Sequence, residues 1–402
     1  MQENRRNIII LFFTLVVVML GFGIIIPILP FYVNGFGASG SELGLLMASF
    51  AVMQFIFAPI WGKLSDRYGR KSILIIGVLG NALSHLLFGL ADQLWMLFVA
   101  RTLTGILSSA TMPTAMAYVA DSTAEKDRGS GMGLMSAAIG VGVILGPGLG
   151  GLLASKSLSS PFFLAAALST IALLPILVAL PESLPTETRT NRETCRRGLR
   201  FSSIRQALFS PIGFLLLLAF LLSFGLTGFE GIFGVYALER YGYGPGRVGT
   251  IIVLIGVIST IMRVVLTGPL SKRWGEVSII QVSLVVSAIG FLLMLQAKTL
   301  HGVILTVSFF VISNALLRPV ISSLISKRTT DSQGKAMGLN NSFMSLGRIF
   351  GPACAGFLFD AKITYPYLSG AAIMLIGFFV SLLWLEREPL PLKKAVGKRV
   401  FH

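Results

Sequence analysis

Trp61-Gly62-Lys63-Leu64-Ser65-Asp66-Arg67-Tyr68-Gly69-Arg70-Lys71 concentrates charge and glycine between two long apolar runs, 43–60 and 72–90. In a soluble chain such a stretch would be a surface turn. Here each flank is about long enough to cross a hydrocarbon core of ~30 Å. The stretch therefore reads as a tight, basic connection between two membrane helices, and basic connections face the cytoplasm. Much of it recurs half a chain later as Gly268-Pro269-Leu270-Ser271-Lys272-Arg273-Trp274-Gly275. The pattern predicts a duplicated, all-α membrane protein.

Composition agrees. Of 402 residues, 54% are hydrophobic and 12% charged, against roughly 25% charged in a soluble domain. Apolar segments of spanning length number about twelve. They lie near 7–30, 43–61, 72–91, 94–119, 131–154 and 161–180, then 211–237, 248–270, 277–297, 303–326, 336–360 and 366–385. The expected organisation is a six-helix bundle over 1–180, a cytoplasmic linker over 181–210, a second six-helix bundle over 211–385 and a basic cytoplasmic tail over 386–402. The opening run after Arg5 and Arg6 is too long for a signal-peptide core and lacks a cleavage site, so it reads as a retained first helix.

A net charge of +16 would suggest nucleic acid in a soluble protein. Its placement argues otherwise. About 24 of the 33 Lys and Arg fall in the termini and the even-numbered connections, including Arg189, Arg192, Arg196, Arg197, Arg200 and Arg205 in the linker and Lys393, Lys394, Lys398 and Arg399 in the tail. That asymmetry puts both termini in the cytoplasm. The lipid bilayer, not nucleic acid, is the expected partner. Cys195 and Cys354 are too few and too differently placed for a disulfide framework or a zinc site. Neither a nucleotide-binding loop of the Walker type nor a nucleophile triad is visible, so no enzyme activity, metal or ATP is expected.

The chain aligns on itself at an offset of about 205 residues. Gly129, Met132, Gly133, Leu134, Gly142, Gly146, Pro147 and Gly151 fall on Gly334, Met337, Gly338, Leu339, Gly347, Gly351, Pro352 and Gly356. One residue further, Gly62, Leu64, Ser65, Arg67 and Gly69 fall on Gly268, Leu270, Ser271, Arg273 and Gly275. An even number of helices per half leaves both halves in the same orientation. Parallel repeats about an axis along the membrane normal are one plan for transporters, with substrate held at the repeat interface.

Four motifs converge on one resemblance. The loop 62–71 resembles the signature between helices two and three of the major facilitator superfamily. Gly142-Val143-Ile144-Leu145-Gly146-Pro147-Gly148-Leu149-Gly150-Gly151 resembles the helix-five signature of its proton-antiporting exporters. Arg101, in Arg101-Thr102-Leu103-Thr104-Gly105, matches the arginine signature of helix four, and Gly23, Pro27 and Pro30 fit the first helix of its twelve-helix drug exporters. The closest likeness is to multidrug efflux pumps of the NorA and Bmr type. The resemblance implies two pseudo-symmetric six-helix bundles in the plasma membrane of a bacterium, a monomer, and efflux of small organic substrates driven by protons with no cofactor. It also implies that Asp66, with Gly62, Arg67, Gly69 and Arg70, latches the halves on the cytoplasmic side, the alternative being a solvated loop acid. Gly142, Gly146, Pro147, Gly150 and Gly151 would form a gasket against proton leak, an alternative being plain close packing of small residues.

Ionisable residues inside spans are costly and mark function. They are Arg101 in helix four, Glu230 in seven, Arg263 in eight, Arg318 in ten and Arg348 in eleven. Glu230 is the one acid well inside a span. A carboxyl in an apolar setting can exchange its charge for a proton, the property a coupling site needs, and Arg101 is assigned to proton coupling with it. A structural salt bridge is the alternative. The pumps this chain resembles carry a second acid in helix ten, where Ala315 stands here, and neutral polar residues where Arg348 and Arg263 stand. By helix rise, Arg263 and Arg318 lie ~22 Å and Arg348 ~18 Å from the outer surface, too deep to reach it. Arg263, Arg318 and Arg348, with Phe50, Gln54, Tyr118 and Phe229, are the expected substrate cavity.

These features support a proton-coupled exporter of amphipathic drugs. The excess arginines support a second reading, a dedicated exporter of a self-made anionic metabolite such as a catecholate siderophore, since arginine matches carboxylate and phosphate geometry. A non-transporting membrane sensor is a more remote alternative, opposed by the intact helix-five glycines and helix-two to helix-three loop.

Overall fold

The computed structural model describes residues 2–184, 208–210, 212–329 and 333–384. Among them every regular element is helical. Eleven continuous helices are long and apolar enough to cross a membrane, and one of these is two spans joined at a kink, which makes twelve. In order they are α1 (Gln2–Gly35), α2 (Gly40–Tyr68), α3 (Arg70–Leu90), α4 (Leu94–Ser122), α5 (Arg128–Ala154), α6 (Ser160–Ala179) and α7 (Gly213–Tyr241). Pro245–Gln296 follows, divided at Gly275 into α8 and α9, then α10 (Leu300–Arg328), α11 (Gln333–Ala361) and α12 (Tyr365–Trp384). Most of the expected linker, with its arginines and Cys195, and the whole basic tail lie outside the described residues.

Most helices overrun the apolar segments read from the sequence. α2 and α7 each hold 29 residues, about 43 Å of helix at 1.5 Å per residue. Composition changes at the membrane surface, but backbone hydrogen bonding has no reason to stop there. This corrects one expectation. Gly62 is not a turn residue; it lies inside α2 with open space about it. The chain reverses at the single residue Gly69, whose φ of 98° is one that side-chain-bearing residues rarely adopt. Gly275, with φ 77°, does the same between α8 and α9.

α4 carries its own irregularity. A short 3-10 turn, Ser108–Ala110, interrupts it between Leu94–Leu107 and Thr111–Ser122. Pro113 lacks the N–H that would bond to the Ser109 carbonyl, and the tighter turn absorbs that loss. Trp61 of α2 donates its indole N–H to the Ile106 carbonyl at 2.5 Å beside the break.

In the N-terminal half α1 packs on α5, α3 on α6 and α2 on α4. The glycines of α5 explain the first pairing: a Cβ at Gly142 or Gly146 would stand 2.6 Å from the carbonyl oxygens of Val16 and Leu20. The C-terminal half repeats the arrangement, with Gly347 against the Phe220 carbonyl and Gly351 against that of Phe224 on α7. Within the N-terminal half, Leu11, Leu15, Leu74, Val78, Tyr118, Met135 and Ile176 form a core of their own.

The halves meet along two seams, α2 with α11 and α5 with α8. Gly44 backs onto the Pro352 carbonyl and Gly356 onto that of Gly40; correspondingly, Gly249 backs onto the Pro147 carbonyl and Gly151 onto that of Pro245. All these contacts lie toward the end opposite the first and last helix ends. There Asp360 also crosses between halves, its Oδ1 accepting from the Gly40 N–H at 2.7 Å and its Oδ2 from the Ser41 N–H at 2.9 Å. At the other end, Gly62, Gly129, Gly133, Gly268, Gly334 and Gly338 have no neighbour where a side chain would go. The two halves are closed at the far end and parted at the end that bears the starts of α1 and α7.

Candidate functional site

Glu230 sits eleven residues before the end of α7, about 16 Å from the far face. The next residue, Gly231, lies against Met47 of α2 and Pro352 of α11. Glu230 is thus placed immediately beneath the closed seam, where α2, α7 and α11 converge. It is half-buried, and it is the one acid away from helix ends among the described residues. Two charges act on it, those of Arg348 and Arg318.

The arginines come from three neighbouring helices. Arg348 lies thirteen residues from the end of α11, about 20 Å deep. Arg318 and Arg263 each lie eighteen residues from the far-end starts of α10 and α8, about 27 Å deep. Arg318 feels both Arg348 and Arg263 as well as Glu230, so the four groups form one electrostatic cluster. Arg263 and Arg318 are exposed and Arg348 half-buried, although all three sit in mid-span. No carboxylate among the described residues comes within ion-pair distance of any of them. Exposure at such depth means that the guanidiniums face the space where the halves part, since lipid tails would not solvate them.

α2 carries Phe50, which is buried, and Gln54. Phe50 is held between Phe22, 5.7 Å away, and Arg101, whose guanidinium lies 4.5 Å above the Phe50 ring. Arg101 is 3% exposed, and its Nε and one terminal nitrogen have no hydrogen-bond partner. Its charge reaches His85, a fully buried histidine whose two ring nitrogens are also unpartnered. The structure does not bring Arg101 to Glu230: the charges acting on that carboxyl are Arg348 and Arg318. Gln54 is half-buried one turn below Phe50.

Two of the expected cavity residues lie elsewhere. Tyr118 is buried in the N-terminal core and donates its hydroxyl to the Pro181 carbonyl at 2.8 Å, which ties α4 to the end of α6. Phe229 turns into the C-terminal half, its ring tilted against those of Phe233 at 5.0 Å and Phe310 at 5.3 Å. With Phe224, Ile232, Phe291 and Tyr367 it borders a small cavity of about 20 Å³ in that half. None of the charged groups lines this cavity, so it is not the site at which they act.

At the parted end, Arg70 is the centre of the connection between α2 and α3. Its guanidinium reaches Asp66 at 2.6 Å, Asp121 at 3.0 Å and the Ser65 hydroxyl at 2.6 Å. Glu182 accepts from the backbone N–H groups of Arg70 and Lys71 at 2.8 and 3.2 Å, supplying the cap that Gly69 cannot. Arg67 lies over the Tyr68 ring at 5.4 Å. In this arrangement Asp66 is bonded within its own half. Asp121, Glu182 and Asp360 were not legible as site residues, though the repeat holds a clue to the first: at an offset of about 206 residues, Arg70 and Asp121 fall on Glu276 and Lys327.

On α5, Gly142, Gly146 and Gly150 line the contact with α1, while Gly151 and Pro147 also face α8 of the other half. One motif therefore serves both the packing inside a half and the seam between halves.

The chain matches the Major Facilitator Superfamily over residues 11–314 and 261–401. It is 34% identical over 388 residues to "Multidrug resistance protein 2" of Bacillus subtilis (strain 168), covering 96% of this chain and 97% of that protein. It is 31% identical over 381 residues to "Quinolone resistance protein NorA" of Staphylococcus aureus (strain COL), covering 94% and 96%. Among solved structures it resembles a bacterial homologue of the human lysosomal transporter Spinster in an inward-facing, unoccupied conformation, with a TM-score of 0.76, 15% identity and coverage of 97% and 99%.

Proposed function

The chain belongs to the Major Facilitator Superfamily and is a multi-pass membrane transporter, and we propose that it exports small amphipathic organic compounds from a bacterial cell in exchange for protons. The printed names of its relatives, multidrug resistance and quinolone resistance, support a drug-like cargo. In this reading the protein works as a monomer in the plasma membrane with both termini in the cytoplasm. The parted end is then the cytoplasmic mouth.

The observation that carries the exchange is Glu230, a carboxyl directly beneath the closed seam and at the head of the parted space. While the far end is closed, Glu230 communicates with the cytoplasmic side alone, where it can release a proton as cargo enters. When the far end opens, the same carboxyl meets the external medium and reloads. Closing the cytoplasmic mouth would bring Asp66 against the C-terminal half, freeing it from Arg70. The α5 glycines keep α1 and α5 flush, so that protons have no path between them.

Everted membrane vesicles under an imposed pH gradient test this. Wild-type protein should accumulate a fluorescent amphipathic dye, and Glu230→Gln should reduce accumulation to background with the protein still inserted in the membrane. Wild-type rates in that variant would overturn the assignment.

A further inference from the structure

We propose that Arg318, Arg348 and Arg263 form an anion-recognition wall, so that the preferred cargo is an apolar, aromatic molecule bearing a carboxylate, sulfonate or phosphate. This deepens the export reading and rests on it. The three guanidiniums come from α10, α11 and α8, and Arg318 lies within the field of both others, yet no acid pairs with any of them among the described residues. Glu230 is the single acid within reach of the cluster. Three fixed cations against one titratable carboxyl leave this wall net positive in either protonation state of Glu230. A wall of that sign, set in a low-dielectric span, repels permanent cations and attracts anions.

Arrangement strengthens the sign argument. A guanidinium presents a planar fork that binds a carboxylate or phosphate through two parallel hydrogen bonds. Arg318 and Arg263 are exposed at equal depth, with Arg348 about one and a half turns nearer the seam. An anionic head entering from the parted end therefore meets Arg318 and Arg263 first and Arg348 last. The opposing wall is of another kind. Phe22 and Gln54, half-buried on α1 and α2, offer aromatic surface and one amide, suited to the body of such a molecule rather than to its charge. Arg101 cannot join the anion wall, because it is buried against Phe50.

Purified protein in lipid nanodiscs would be titrated with carboxyfluorescein as the anionic probe and ethidium as the cationic one. The wild type should bind carboxyfluorescein more tightly than ethidium. Arg318→Gln with Arg348→Gln should weaken carboxyfluorescein on the order of tenfold or more, as expected for loss of charge-assisted pairs, and should spare or improve ethidium. Arg318→Lys with Arg348→Lys keeps the charge and removes the fork, so it should retain part of the affinity and serves where the glutamine variant does not fold. Tighter ethidium binding by the wild type, or unchanged carboxyfluorescein affinity in the variants, would overturn the proposal. Binding requires no gradient, so this result is separate from the Glu230→Gln efflux assay: either can fail while the other stands.

Discussion

Arg70 of α3 and Glu276 of α9 occupy equivalent places in the two halves, each just past the glycine that ends the preceding helix. Each pairs with the end of the next helix, Arg70 with Asp121 at 3.0 Å and Glu276 with Lys327 at 2.7 Å. The geometry is the same and the polarity is reversed. Asp66, which also holds Arg70, has Lys272 as its counterpart, so the whole set is inverted. Duplication kept the requirement that these helix ends be tied and left the sign free. In mid-span the halves diverge further. The N-terminal half holds the single buried cation Arg101, while the C-terminal half holds Glu230, two exposed arginines and the half-buried Arg348. Skeleton and charge have been divided: both halves build the scaffold, and one of them carries the mid-span acid and arginines proposed above to act in transport.

The comparison is broken most severely at Arg70. Arg70→Glu would set a buried acid against Asp66 and Asp121 and should destabilise the protein by about 3 kcal/mol or more, read as a lower melting temperature in detergent. Adding Asp121→Lys should recover part of the loss, and adding Asp66→Lys as well, which imports the complete C-terminal set, most of it. A triple variant no better than the single one would show that the two connections are not equivalent. Next come the seams. Gly44→Val and Gly249→Val each press a branched side chain onto a proline carbonyl, at a cost of about 1–3 kcal/mol to the closed far end. Labelling of cysteines engineered at that end should rise to a similar degree in both, and a strongly unequal response would undo the symmetry of the seams. Lys327→Ala should cost under ~1 kcal/mol, because its side chain is 55% exposed whereas that of Arg70 is 9% exposed. A loss as large as that of Arg70→Glu would contradict the difference in burial. Asp360→Asn should have the smallest effect, on the order of 0.5–1 kcal/mol, as for an exposed helix cap. It should appear as greater far-end labelling, and added salt should narrow the difference by raising the labelling of the wild type.

Much of this structure was legible in the chain. Spans announce themselves by hydropathy, and the repeat by glycine and proline spacing, because both depend on composition along one dimension. Facing does not. Tyr118 and Phe229 are aromatic residues that suit a packed core and a cavity wall alike, so residue type alone did not separate the two, and each proved to pack within its own half. Gly62 was misleading for another reason: polarity marks the membrane surface, whereas the helix continues to the next glycine that can take a positive φ. Arg263, Arg318 and Arg348 stood out because charge in a span is rare, yet their association with Glu230 required the fold. The bonds from Asp360 to Gly40 and Ser41, some 320 residues apart, have no local signature at all.

That last contact has a mechanical consequence. Asp360 clasps the α2–α11 seam with two hydrogen bonds to backbone N–H groups. At the matching end of the α5–α8 seam, Pro245 stands at the head of α8, which begins without a side-chain cap. One edge of the far end is therefore pinned and the other rests on contact alone. Under thermal agitation the loose edge yields first, and the pinned edge behaves for a moment as a pivot. The bundles would then swing apart obliquely, like a book opened from one corner, with the wider gap on the α5–α8 flank.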